Sequence, residues 1–78
     1  MEKNIIKMRK SDAPWCIAEL KAARVFINNS VLDAFMGRVV FYDKGRRLFS
    51  HDTNIARLDI YDALQDAREL ARDNGFTN

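Results

Sequence analysis

Seventy-eight residues, 47% apolar and 31% charged, make one small globular domain, too short for two cores. No apolar run reaches the ~18 residues of a membrane span, the start Met1-Glu2-Lys3-Asn4 lacks a signal peptide's apolar stretch, and the single cysteine has no internal partner, so a cytoplasmic setting is expected. The net charge of +2 conceals a polarity: residues 1–58 hold 11 Lys and Arg against 6 Asp and Glu, and residues 59–78 hold 2 against 5.

Residues 1–10 set Lys3, Lys7, Arg9 and Lys10 around Ile5, Ile6 and Met8, the pattern of either a short edge strand or a basic arm. Ser11-Asp12 followed by Pro14 reads as a helix start. The stretch after it is rich in helix formers (Ala18, Glu19, Leu20, Lys21, Ala22, Ala23), so a first helix is expected over about residues 12–28. Arg24-Val25-Phe26-Ile27 would also suit a strand. Asn28-Asn29-Ser30 is a turn signal, and Val31 to Met36 could supply a further strand, with Gly37 marking a bulge or bend.

The clearest β signal is a hairpin over about residues 38–51, with Arg38 to Tyr42 and Arg46 to His51 joined by a three-residue loop, Asp43-Lys44-Gly45. That loop sets Val40 opposite Leu48, Phe41 opposite Arg47 and Val39 opposite Phe49. His51-Asp52-Thr53-Asn54 then reads as polar loop. A last helix follows over about 59–74, with Asp59 as N-cap and Gly75 as the left-handed residue past its end. The fold class is α+β: a small antiparallel sheet packed with a C-terminal and an N-terminal helix. Both hairpin faces carry large apolar groups, so either the first helix covers the second face or that face stays bare as an interaction patch.

Few residue sets suggest chemistry. One His and one Cys cannot supply a metal-ligand cluster, and Gly37, Gly45 and Gly75 are too scattered for a phosphate loop. Ser50-His51-Asp52 has the residue types of a triad, but neighbours on an extended chain point to alternate sides. Cys16 is expected to be a small buried hydrophobe. No catalytic residue, metal or cofactor is therefore expected, and the chain reads as a binding protein, not an enzyme.

Two surfaces compete for that role. Wound at about 100° per residue, the last helix lines up Asp59, Asp62, Asp66, Glu69 and Asp73 on one edge, beside an apolar face of Ile60, Ala63, Leu64, Ala67, Leu70 and Ala71. Like charges at this spacing repel, which favours a docking surface for a basic partner, such as the nucleic-acid groove of an enzyme or complex. The rival is a basic and aromatic set, Arg38, Phe41, Lys44, Arg46, Arg47 and Phe49, whose residue types hold phosphates and stack bases when they share a sheet face. A homodimer joined through sheet faces is a third possibility.

The segment Gly37-Arg38-Val39-Val40-Phe41-Tyr42-Asp43-Lys44-Gly45-Arg46-Arg47-Leu48, with the helix around Asp62-Ala63-Leu64-Gln65-Asp66-Ala67, resembles the hairpin-plus-helix of integrase arm-type DNA-binding domains. That resemblance, over less than half the chain, implies DNA reading by the sheet through Arg38, Lys44, Arg46 and Arg47. In size and style the chain is also similar to small phage-encoded inhibitors, including anti-CRISPR proteins. Likeness to these inhibitors implies docking on a nucleic-acid-handling complex, and this is the leading expectation, with direct DNA binding as the alternative.

Overall fold

The computed structural model describes residues 5–77. Four strands, β1 (Ile5–Arg9), β2 (Trp15–Ile27), β3 (Ser30–Asp43) and β4 (Arg46–Arg57), precede one helix, α1 (Ile60–Asp73). The strands form an antiparallel meander in the order β1-β2-β3-β4. Of residues 1–10, Ile5–Arg9 are an edge strand, and residues 1–4 lie outside the described part.

The expected first helix over 12–28 is absent: that segment is β2, paired with β1 on one side and β3 on the other. Its helix formers are overruled by tertiary packing. Cys16 and Ala18 alternate with Trp15, Ile17 and Glu19, and the small members of that series are fully buried beneath α1. A period of two outweighs local propensity here, because β3 along the whole of β2, and β1 from Trp15 to Glu19, take up backbone groups that a helix would have satisfied internally. Ser11-Asp12-Ala13-Pro14 is a bend, with Ala13 at φ 64 and the Lys10 N–H donating to the Pro14 carbonyl at 2.8 Å.

The β2–β3 and β3–β4 hairpins close on two-residue turns with positive φ at each central residue, Asn28 (51) and Asn29 (62) in one, Lys44 (53) and Gly45 (77) in the other. This is the mirror-image turn whose twist matches that of the flanking strands. It replaces the expected three-residue loop and changes the register. Asp43 faces Arg46, Tyr42 faces Arg47, and after an irregularity between Phe41 and Tyr42 the pairs become Phe41–Phe49, Val40–Ser50 and Val39–His51. Val31 to Met36 is part of β3, with a second irregularity between Met36 and Arg38, and the expected polar loop at His51 to Asn54 lies inside β4.

Helix α1 forms as expected. The Asp59 side chain accepts from the Tyr61 N–H at 2.8 Å, and Gly75, at φ 89, follows the last turn. Its small residues let it lie close to β3. A Cβ at Gly37 would stand 2.5 Å from the Ala63 carbonyl oxygen and 2.9 Å from the Ala67 Cβ. Met8, Cys16, Ala18, Val39, Phe41, Leu64, Ala67, Ala71 and Phe76 form the core between sheet and helix.

Among the described residues, α1 covers only one sheet face. The helix also spans only part of the length of β2 and β3, whose far ends continue as a bare two-stranded ribbon to the Asn28-Asn29 turn. The molecule is accordingly elongated, 48 × 25 × 19 Å.

Candidate nucleic-acid interface

Cross-strand pairs share a face, so the register assigns every side chain of the uncovered face. One row crosses all four strands: Arg9, Trp15, Tyr42 and Arg47. The next holds Lys7, Ile17, Val40 and Ser50, and the third Ile5, Glu19, Arg38 and Asp52. With Lys21 from the following pair, these rows carry, among the described residues, five cations (Lys7, Arg9, Lys21, Arg38, Arg47) and two carboxylates (Glu19, Asp52).

The aromatic centre of the face is rigid. Trp15 and Tyr42 stack with ring centroids 4.2 Å apart and planes 7° from parallel, and the Lys7 Nζ stands 4.4 Å from the indole centroid. Lys7 and Tyr42 therefore occupy both faces of the indole, leaving its edge to meet a partner. Arg9 and Arg47 end this row. Three strand spacings of ~4.8 Å put their Cα atoms roughly 14 Å apart, comparable to the ~12 Å width of a DNA major groove.

Below that row lies an ionic cluster. Asp52 accepts from the Lys21 Nζ at 2.6 Å and from the Arg38 Nε at 2.8 Å. The Arg38 hydrogen bond, then that of Lys21, holds the Asp52 carboxyl below its ordinary range, and the same bond raises the Arg38 guanidinium. Arg38 is thus on the face that the resemblance implied, but committed to a carboxylate of its own chain.

The rest of the expected basic and aromatic set does not stay together. Phe41 and Phe49 are on the helix side, where Phe41 packs on Phe49 at 4.7 Å and on Phe76 at 5.5 Å between ring centroids. Arg46, paired with Asp43, alternates to that side as well, Lys44 is in the turn, and only Arg38 and Arg47 belong to the bare face. The expected grouping of Phe41, Arg47 and Phe49 fails because the irregularity beside Phe41 puts Arg47 and Phe49 on opposite faces. Sequence reasoning missed Lys7, Arg9, Trp15, Lys21 and Tyr42. Their signal was the alternation of Trp15, Ile17, Glu19 and Lys21 with Cys16, Ala18, Leu20 and Ala22.

The acidic edge of α1 is partly spent within the molecule. Asp59 caps the helix, and Asp66 takes both donors of Arg57, from Nε at 2.7 Å and from Nη2 at 3.0 Å. That pairing, helped by the nearby charges of Asp62 and Glu69, raises the Arg57 guanidinium. Gln65 donates to Glu69 at 3.3 Å. Glu69, Asp73 and Asp66 border a cleft of about 240 Å³ between α1 and β4.

Cys16 is fully buried, and burial pushes its thiol up to about 11. Among the described residues, no group of three or more His, Cys, Asp and Glu could hold a metal ion. No helix among them is long and apolar enough to cross a membrane. Comparison with protein-family models, with curated proteins and with solved structures finds no match.

Proposed function

We propose that this chain is a non-enzymatic binding module whose uncovered sheet face engages duplex nucleic acid. The observation that carries this reading is the Arg9–Trp15–Tyr42–Arg47 row, a stacked aromatic pair with a guanidinium at either end on a face that α1 does not cover. Cations at this separation suit phosphates on the two sides of a groove, while the ring edges and the tyrosine hydroxyl meet base edges between them. Because the indole is already sandwiched, the face suits a duplex better than a single strand that needs free ring faces. The resemblance to integrase arm-type domains leads to the same sheet, with Arg47 common to both residue sets.

The expected docking of the acidic helix edge on a nucleic-acid-handling complex is the second reading. It draws on the cleft between α1 and β4 and on Asp62, Glu69 and Asp73, since Asp59 and Asp66 are engaged within the chain.

Fluorescence anisotropy on a labelled duplex tests both. The wild-type chain is expected to bind with an affinity that falls steeply between about 50 and 200 mM salt, as counterion release requires. Arg9→Glu with Arg47→Glu should lower affinity at least about tenfold and flatten the salt dependence, whereas Asp62→Lys with Asp73→Lys should leave it unchanged or stronger. Absence of salt-dependent binding by the wild-type chain ends the first reading. Capture of a protein complex that the Asp62→Lys, Asp73→Lys variant loses would favour the second.

A further inference from the structure

The two ends of the molecule carry complementary features. At one end, the stretch from Val25 to Leu32 that forms the ribbon tip contains no charged residue. Phe26, cross-strand from Val31, is 79% exposed there, on the face that farther back along β2 lies against α1. At the other end, chiefly on the same side of the sheet, Pro14, Phe41, Tyr42, Leu48, Phe49 and Phe76 wall a cleft of about 260 Å³, which Lys10, Asp43 and Asn74 also border. Leu48 and Phe49 are 57% and 56% exposed in it. From Val31 to Tyr42 the strand covers roughly 35–40 Å at ~3.3 Å per residue, so the tip cannot reach the cleft of its own molecule.

We propose that the occupant of this cleft is Phe26 of a second copy of the chain, in a two-fold antiparallel dimer that forms the contact twice. Charge favours this occupant. With Phe26 seated near Phe76, Arg24 lies two residues back along the same face, beside the C-terminal half of the other copy's helix. Glu69 and Asp73 stand there, and among the described residues neither they nor Arg24 form a salt bridge within the chain. Area sets the strength. Each aromatic knob removes about 150–250 Å² of its own surface and a similar area of cleft wall, so two contacts reach roughly 600–1,000 Å² before flanking residues are added. That is just under the ~1,200 Å² of stable specific interfaces, so the dimer forms and dissociates with concentration. The knob and most of the cleft wall lie on the helix side, and Tyr42 is the residue of the basic row that the cleft also touches. The inference is independent of what the basic face binds.

Sedimentation velocity from about 5 to 500 µM, the range of a weak and reversible association, tests the proposal. The wild-type chain should pass from monomer to dimer mass across this range. Phe26→Ser and Leu48→Glu should each lose the dimer while keeping the wild-type circular dichroism spectrum, because both side chains are exposed. A wild-type chain that stays monomeric throughout overturns the proposal. So does a Leu48→Glu variant that dimerises normally, which would indicate tip-to-tip contact.

Discussion

Strands β2 and β3 run through two environments, and the contrast between them explains most of this molecule. Under α1 they present Cys16, Ala18, Val39 and Phe41 to a helix face of Ala63, Leu64, Ala67 and Ala71, and these side chains are nearly or wholly removed from water. Beyond the helix the same two strands, still in unbroken register, hold Phe26, Ile27, Val31 and Leu32 exposed. An isolated two-stranded ribbon is at best marginally stable. The far half therefore depends on the near half for its order, and its apolar side chains contribute little to folding.

Core truncation should bring out that contrast most strongly. Met8→Ala, at a side chain 1% exposed, is expected to cost about 2–5 kcal/mol, whereas Phe26→Ser should stay within about 0.5 kcal/mol in urea unfolding at a concentration where the chain is monomeric. Equal losses at the two positions would mean that the ribbon is part of the cooperative core. A smaller effect is expected at the closest helix–sheet approach. Gly37→Ala places a methyl against backbone and should cost about 1–3 kcal/mol. For a domain of this size that lowers Tm by several degrees, at about 4–8 °C per kcal/mol. If Tm does not change, α1 is free to move away from β3.

The smallest effect concerns the bare face. The Asp52 carboxyl ionises at lower pH in the folded chain than in the unfolded one, so the unfolded state binds more protons in the acid range. Its contribution to stability is complete above the ordinary carboxylate range and disappears as pH falls through the folded value. Lys21 and Arg38 are partly exposed, so solvent screening keeps this contribution small. Asp52→Asn should lower stability slightly at neutral pH and converge with wild type in acid, as measured by urea unfolding at pH 7 and below pH 3.5. A constant difference at both pH values would assign the loss to packing instead of charge.

How much of this was legible beforehand differs from one segment to the next. The helix over 59–74 could be read because a period of 3.6, a capping Asp59 and a terminal Gly75 agree locally. The second hairpin could be located, but its register could not. A two-residue turn on Lys44-Gly45, in place of three residues, together with an irregularity at Phe41, moved Phe49 away from the face that holds Arg47. Within residues 12–28 the chain is strand and not helix although Ala18, Leu20, Lys21 and Ala22 favour a helix in isolation, and nothing local records that β3 pairs with all four of them. The candidate site follows from that pairing. Trp15 gains significance only when it is paired with Tyr42, 27 positions away.

Local chemistry by itself determined the C-terminal helix, the places of the turns at Asn28-Asn29 and Lys44-Gly45, and the charge polarity, since each follows from neighbours within a few residues. Only tertiary structure decided that β2 is a strand, that one sheet face stays bare, and that Arg57 neutralises Asp66. Those outcomes depend on which distant groups satisfy backbone hydrogen bonds and buried charge, and such partners are chosen in three dimensions.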